Sequence, residues 1–261
     1  MKRTLITPEI NSFPEELHSL ITGNKVYDSS CSPEARVYYI EKDGGYYLKS
    51  SPKGTLETES KMTDYFHKKG LSSAMLSYLS TDRDWMLTER VAGEDCTFAQ
   101  YREDPKRLAE TTATLLRSLH ETDYTDCPIP NRISTYLDTA DKNFKAGLFD
   151  THIFTEEFTF PTASSAWEYL QKNKHYLKTD TLLHGDYCLP NIMLDNWRFS
   201  GFIDVGNGGV GDRHIDLFWG AWTLWFNLKT NEYRERFFDA YGRDKLEPEL
   251  LKLISAAEVF G

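Results

Sequence analysis

The chain contains the stretch His184-Gly-Asp-Tyr-Cys-Leu-Pro-Asn191, which is followed by Gly201-Phe-Ile-Asp204. Together the two stretches place three polar side chains, Asp186, Asn191 and Asp204, within one short span. An apolar segment lies close to each of them in sequence and is expected to hold it in place. The sequence therefore predicts that these three oxygen-bearing side chains have fixed positions.

Their chemistry is that of a phosphoryl-transfer site. One carboxylate can accept a hydrogen bond from an incoming hydroxyl, so Asp186 is the candidate catalytic residue. Asn191 and Asp204 are candidate ligands of Mg²⁺, a hard cation that prefers oxygen and is usually bound by few protein groups together with substrate phosphates. Taken singly, the three could be a turn residue, a helix cap and a loop residue. Their joint occurrence after His184-Gly185, where protein kinases carry His-Arg, favours the functional interpretation.

Composition limits the classes of partner. The chain has 261 residues, of which 40% are hydrophobic and 14% aromatic, so it can form a sizeable core. Its net charge of -10 disfavours a nucleic-acid partner and would attract a small cationic substrate, although many cytosolic proteins are equally acidic. The N-terminus has no apolar stretch typical of a signal peptide, and the longest apolar run, residues 217–226, is about half the roughly 20 residues that a membrane span needs. We expect a cytoplasmic monomer or weak dimer without a membrane partner.

The N-terminal third has the pattern of a small antiparallel sheet with one helix. Residues 36–40 and 46–49 are rich in aromatic and β-branched residues, and Asp43-Gly-Gly45 between them is typical of a hairpin turn. Residues 54–69 have apolar positions at helical spacing, and residues 85–88 predict another strand.

The pattern changes at residues 89–94, so we predict an N-terminal lobe of residues 1–90 and a mostly helical C-terminal lobe of residues 91–261. The overall fold class is then α+β. In the second lobe, a hairpin with its turn at Asn196 joins strands at 192–194 and 199–203. The predicted helices are 105–120, 213–228, 232–241 and 248–259.

Lys49 ends one of the predicted strands of the small sheet. It could be a solvated lysine at a strand end, or it could bind nucleotide phosphates while a glutamate from a neighbouring helix holds it. The predicted helix offers Glu57 and Glu59, which point in different directions, so only one of them can take this role.

Several other side chains have two interpretations. His184 could be a general base, but a structural role in which it donates to the backbone of the catalytic loop is favoured. Asp212 or Asp216 could anchor that loop through hydrogen bonds, or could simply favour the dipole of the following helix. Three tryptophans at helical spacing could line a cage for an ammonium group or pack a core, and core packing is favoured: Trp219, Trp222 and Trp225.

These motifs resemble the aminoglycoside 3'-phosphotransferases, within the wider group of aminoglycoside and choline kinases. The likeness covers nearly the whole chain and is strongest from 181 to 216. It rests on residues 184–191, 200–204, 211–213, Leu48-Lys49, Cys127-Pro and Glu258-Val-Phe260. The resemblance implies a bilobal, protein-kinase-like fold that binds ATP and Mg²⁺. It also implies phosphorylation of a hydroxyl of an aminoglycoside antibiotic, and hence resistance.

The resemblance also implies roles for individual residues. Asp186 matches the catalytic base, Asn191 and Asp204 match the magnesium ligands, and Lys49 with Glu59 matches the phosphate-binding pair. The other implied nucleotide contacts are the ring of Tyr47 on adenine, Ser32 in a nucleotide loop, and the backbone of Glu89 and Val91 at the adenine edge. The implied substrate contacts are Glu156, Glu157, Asn207 and Glu258.

The departures from the family concern the acceptor. The family usually has Gly-Arg where this chain has Gly206-Asn207, and acidic residues where it has Phe226-Asn227. The acceptor could therefore be another small alcohol, such as choline, a sugar or a different antibiotic. A nucleotide-binding regulator without turnover is a further alternative, but the intact Asp186, Asn191, Asp204 and Lys49 argue against it.

Overall fold

The computed structural model describes residues 3–31, 35–151 and 159–261. Three predicted site residues, Ser32, Glu156 and Glu157, lie outside the described residues. The chain forms two compact units, each built from two segments. The first consists of Met1–Asp95 with Met193–Gly206, and the second of Cys96–Ile192 with Asn207–Gly261.

The first unit contains an antiparallel sheet that, within the described residues, has six strands in the order β1-β2-β3-β4-β6-β5. Because side chains alternate across a strand, Leu48 of β4 faces the core while Tyr47 and Lys49 lie on the opposite face. The predicted hairpin between β3 and β4 is confirmed, with Asp43 and Gly45 at positive φ. The strands and helices are β1 Thr4–Ile6, α1 His18–Ile21, β2 Lys25–Asp28, β3 Arg36–Glu41, β4 Tyr46–Pro52, α2 Glu57–Lys68, β5 Met75–Ser80 and β6 Arg83–Glu89.

A second small sheet completes this unit. It consists of β7 Glu94–Asp95, β9 Ile192–Asp195 and β10 Arg198–Phe202, in the order β10-β9-β7. Residues 193–206 therefore lie with the first unit, whereas the sequence division assigned them to the second lobe. Two contacts explain the difference: β9 pairs with β7, and the Phe202 N–H donates to the Leu71 carbonyl at 2.7 Å. Both are long-range pairings that local sequence patterns do not encode.

The second unit is mainly helical. It contains a short antiparallel pair, β8 Thr181–Leu183 with β11 Gly209–Gly211, and the stretch that begins at His184 follows β8 directly. Side chains cap three of the helices: Asp104 caps α4, Asn131 caps α5, and Thr162 forms a capping box on α6. The helices are α3 Ala99–Arg102, α4 Pro105–His120, α5 Arg132–Ala146, α6 Ala163–Asn173, α7 His214–Leu228, α8 Arg234–Tyr241 and α9 Pro248–Glu258.

The predicted α+β class is confirmed, since one unit is built on antiparallel strands and the other on helices. The predicted strands at 192–194 and 199–203 correspond to β9 and β10, and the helix predicted at 105–120 is α4. The other predicted helices correspond to α2, α7, α8 and α9. In the described ranges, every helix is too short or too polar to cross a bilayer.

Candidate active site

The loop that carries Asp186 begins directly after β8 and is anchored by one buried carboxylate. Asp216, in the first turn of α7, accepts the backbone N–H of His184 with Oδ2 and that of Gly185 with Oδ1, each at 2.8 Å. Asp216 is fully buried and also lies 3.2 Å from Nε2 of His120. A carboxylate that accepts hydrogen bonds from two backbone donors forms stronger bonds than a neutral acceptor, so Asp216 fixes the loop just before the candidate catalytic residue Asp186.

The two carboxylates near the start of α7 have different roles. Asp212 accepts the backbone N–H of Lys178 at 2.8 Å and contacts Nδ1 of His214 at 2.7 Å. Burial alone would raise its pKa, but the bonds from His214 and Lys178 hold the pKa of Asp212 below its ordinary value. Asp216, rather than Asp212, therefore makes the contacts with the catalytic loop that the sequence left open between them.

His184 is fully buried, and its Nδ1 accepts the backbone N–H of Asp186 at 3.3 Å. The expectation that this ring donates to the loop backbone is corrected for this contact, because a backbone N–H can only donate. The His184 ring therefore stabilises the loop by accepting the hydrogen bond from the Asp186 N–H.

Asn191 holds the carboxylate of Asp186. It ends a short 3-10 turn, Leu189–Asn191, and its Nδ2 donates to Oδ2 of Asp186 at 2.8 Å and to the Asp186 carbonyl at 3.0 Å. Both bonds use the amide nitrogen, so the amide oxygen is the atom of Asn191 suited to a cation. The half-buried Asp186 is thus oriented within its own loop.

Gly185 has a φ of +84° and lies against the backbone of Asn207 in the same unit. A Cβ atom at this position would overlap the backbone oxygen of Asn207. The side chain of Asn207 accepts a hydrogen bond from Nη2 of Arg132 at 2.7 Å, and burial lowers the pKa of that guanidinium. Sequence reasoning missed Arg132, because no spacing pattern links α5 to a residue so far along the chain.

In the first unit, Lys49 is held between two carboxylates. Its Nζ donates to Oε1 and Oε2 of Glu59 at 2.9 and 2.7 Å, and to Oδ1 of Asp204 at 2.7 Å. Burial by itself lowers the pKa of the Lys49 ammonium, but Glu59 and Asp204 outweigh it and hold that pKa above its ordinary value. Lys49 is therefore charged at neutral pH. Glu57 pairs instead with Lys61 on the exposed side of α2.

Asp204 follows β10 with a φ of +59°, a conformation that residues other than glycine, asparagine and aspartate rarely adopt. Its side chain is 51% exposed. Carboxylate oxygen is a suitable ligand for magnesium, as is the amide oxygen of Asn191, so both residues fit the cation that the resemblance implies. Among the residues that the structure describes, no three His, Cys, Asp or Glu side chains form a metal cluster by themselves.

The remaining predicted nucleotide residues lie along the sheet of the first unit. The hydroxyl of Tyr47 accepts a hydrogen bond from Nη2 of Arg3 at 2.7 Å, and its ring lies 5.3 Å from that of Tyr39. The backbone of Glu89 already bonds to Ala74 through its N–H and to the Ser73 hydroxyl through its carbonyl. Val91 is buried, and its side chain packs against Gly201.

Glu258, at the end of α9, is the acidic residue of the predicted substrate face that the structure describes. Its Oε1 accepts hydrogen bonds from the Tyr136 hydroxyl at 2.9 Å and from Nε1 of Trp219 at 3.0 Å. Burial raises the pKa of Glu258 to about 7, and the nearby charge of Asp186 acts in the same direction. The influence of Asp186 indicates that the two carboxylates lie within electrostatic range of each other.

Comparison with known proteins gives one consistent result. The sequence matches the phosphotransferase enzyme family over residues 33–251. It is 50% identical over 254 residues to the probable aminoglycoside 3'-phosphotransferase of Lactococcus lactis subsp. lactis (strain IL1403), covering 97% of this chain and 96% of that protein. It is 28% identical over 253 residues to the aminoglycoside 3'-phosphotransferase of Niallia circulans, covering 92% and 94%. The crystal structure of a type VIII aminoglycoside-3'-phosphotransferase has a similar fold, with a TM-score of 0.75, 23% identity and 96% coverage of each chain.

Proposed function

Because this chain belongs to the phosphotransferase enzyme family, we propose that it transfers the γ-phosphoryl group of ATP to the 3'-hydroxyl of an aminoglycoside and so confers resistance to the antibiotic. The observation that carries the proposal is the geometry of Asp186. Asn191 holds its carboxylate, and Asp216 anchors the backbone before it. Half of the sequence is shared with a relative that bears this name over nearly its whole length, which supports the same reaction here.

Asp186 orients the acceptor in this mechanism. Its carboxylate accepts a hydrogen bond from the acceptor hydroxyl and aligns that oxygen for in-line attack. As the bond from oxygen to the γ-phosphorus forms, the bond from that phosphorus to the β-phosphate oxygen breaks and ADP leaves. The hydroxyl proton passes to Asp186 and then to solvent.

The first unit supplies the groups proposed to hold the nucleotide. The Lys49 ammonium, fixed by Glu59, pairs with phosphate oxygens, and Tyr47 offers its ring to the adenine from the same face of the sheet. Ser32 and the backbone of Glu89 and Val91 remain proposed nucleotide contacts. Asn191 and Asp204 are the proposed magnesium ligands, and the bound cation would neutralise charge on the transferring phosphoryl group.

The acceptor side is proposed to be acidic. Glu258 lies within electrostatic range of Asp186, and an ionised carboxylate there would attract an ammonium group of the substrate. Glu156, Glu157 and Asn207 are the further proposed substrate contacts. The net charge of -10 favours a cationic substrate over an anionic one.

Substitution of the catalytic carboxylate tests the proposal. Asp186→Ala is expected to lower kcat by about 10²–10⁴-fold, the usual contribution of a positioned acid or base, while the Kd for ATP changes little. ADP release with kanamycin or neomycin as the acceptor measures kcat, and calorimetry measures the Kd for ATP. Asp138→Ala, an exposed aspartate in the same unit, is the matched control and should retain activity. A folded Asp186→Ala protein with unchanged kcat would contradict the assignment.

A kinase of another small alcohol is the second candidate. It is favoured by the half-buried side chains of Trp219 and Trp222, which could receive a quaternary ammonium group. Expression in a susceptible bacterium separates the two: protection against kanamycin or neomycin supports the first candidate, and its absence supports the second. Steady ADP production with any acceptor would exclude the alternative that the protein is a nucleotide-binding regulator without catalytic turnover.

A further inference from the structure

One side of α7 carries a row of aromatic rings that contact one another and are partly exposed. The rings of Trp219 and Trp222 meet edge to face at 5.2 Å, and those of Trp222 and Phe226 are stacked at 4.8 Å with planes 12° apart. Both tryptophans are half-buried, and Phe226 is 46% exposed. We call Trp219, Trp222 and Phe226 the aromatic row. The sequence favoured core packing for the tryptophans, and the structure shows Trp219 and Trp222 packed on neighbouring rings and partly buried.

The aromatic row adjoins the catalytic loop. On the neighbouring flank of α7, the Thr223 hydroxyl accepts the backbone N–H of Leu189 at 3.1 Å, and Leu189 lies between Asp186 and Asn191 in the sequence. Each helical residue turns the chain by about 100°, so Trp219 and Phe226 lie roughly 40° and 60° from Thr223 around the helix. The flank that contacts the loop and the flank that carries the rings are therefore adjacent.

Charged groups lie at both ends of the row. At one end, Nε1 of Trp219 donates to Oε1 of Glu258 at 3.0 Å. At the other end, Nζ of Lys229 lies 4.2 Å from the centroid of the Phe226 ring. The negative face of an aromatic ring attracts a cation, and Lys229 shows an ammonium already bound to this row in that way.

We propose that the aromatic row is the surface on which the acceptor's amino sugar rings bind, with ammonium groups over ring faces and the apolar faces of the sugars stacked on the indoles. This inference rests on the proposed function and deepens it. A ligand that presents a hydroxyl to Asp186 must lie beside the loop that α7 supports, and the partly exposed rings lie on the adjoining flank of that helix. Attraction by aromatic faces thus takes the place of attraction by carboxylates along this part of the site.

The central ring of the row provides the test. Trp222→Leu is expected to raise the KM for kanamycin about 5- to 30-fold, the range of a well-placed cation–π contact, with kcat and the KM for ATP within about twofold of the wild type. The KM of Trp222→Phe for kanamycin should lie between the values of the wild type and of Trp222→Leu, because phenylalanine keeps an aromatic face. N-acetylated kanamycin, which lacks the ammonium charges, should lose less affinity than kanamycin on the change to leucine when binding is measured by calorimetry.

Tyr176→Leu is the matched control, because it removes an exposed aromatic ring of the second unit whose ring contact is with His175 and not with the aromatic row. It should leave the KM for kanamycin unchanged, and thermal unfolding checks that all variants are folded. An active Trp222→Leu protein with wild-type KM, or an equal rise in KM for Tyr176→Leu, would overturn the inference and leave the proposed function standing. A change of oligomeric state without a change in KM would assign the row to a second copy of the chain instead. A wild-type protein that neither binds nor phosphorylates kanamycin or neomycin would refute the proposed function itself.

Discussion

Among single residues, Glu258 accepts hydrogen bonds from two donors, Tyr136 and Trp219, and its pKa is raised well above the ordinary value. The native carboxyl has a pKa of about 7 against an ordinary value of 4.5, so the native state binds more protons than the unfolded chain between these limits. Its contribution to the free energy of unfolding is fully present below pH 4.5 and is lost as the pH rises through 7. The loss is at most about 3.5 kcal/mol, since the pKa rises from 4.5 to about 7 and each pKa unit corresponds to about 1.4 kcal/mol.

Comparison with Glu258→Gln isolates this effect from other titrating groups. Glutamine keeps the shape and an acceptor for Tyr136 and Trp219 but does not ionise. Urea unfolding at a series of pH values measures the free energy of unfolding of both proteins. The free energy of unfolding of the wild type should fall relative to that of the variant as the pH rises from about 4.5 to about 7. A difference that does not change with pH would show that Glu258 titrates normally.

The sequence predicted some residues of the site but not their partners. Asp186 and Asn191 are five positions apart in one motif, so local spacing sufficed to connect them. The contacts of Arg132 with Asn207 and of Trp219 with Glu258 join distant parts of the chain. No periodicity encodes such pairings, and they follow only from the packing of helices in three dimensions.

At the scale of secondary-structure elements, α7 supports the catalytic loop through its first turn. Asp216→Asn keeps the shape but replaces one acceptor oxygen by a donor that faces a backbone N–H of His184 or Gly185. We expect a loss of about 1–3 kcal/mol of stability, the cost of an unsatisfied buried donor, and a kcat lowered at least tenfold as the loop shifts. The Kd for ATP should change little.

Asp212→Asn is the matched control for this prediction. It alters a second buried carboxylate beside α7, whose partners His214 and Lys178 lie outside the catalytic loop. Urea unfolding should show both variants to be destabilised, while steady-state kinetics should show a large fall in kcat for Asp216→Asn alone. Equal effects of the two substitutions on kcat would contradict a specific role for Asp216.

Elements with strong local signals were predictable. The apolar spacing of Leu108, Leu115, Leu116 and Leu119 and the Pro105 start predicted α4 with the bounds observed, although Leu115 is only partly buried. The short pair of β8 and β11 was not predicted, because each strand has three residues and its partner lies far along the chain. Pairing over that distance depends on the fold around it.

In the molecule as a whole, residues 193–206 belong to the first unit, although the chain before and after them belongs to the second. Residues 193–206 contribute Phe202, which is 1% exposed and lies edge-on to Phe66 of α2. A fragment of residues 1–95 should therefore unfold less cooperatively than one in which residues 193–206 are attached by a flexible linker. The stability difference should be about 3 kcal/mol or more, the usual cost of losing a buried aromatic contact. Circular dichroism during urea unfolding measures both fragments, and identical transitions would show that the six-stranded sheet is self-sufficient.

The left-handed backbone at Asp204 has an implication for how this protein can change. Glycine would relax the main chain there, and Lys49 would keep Glu59 as its counter-ion. Selection for thermal robustness alone would therefore act on position 204 in two opposed ways, because glycine relaxes the backbone but loses the ion pair with Lys49 at 2.7 Å. An aspartate that persists there among descendants of this chain would agree with the magnesium-binding role proposed for Asp204.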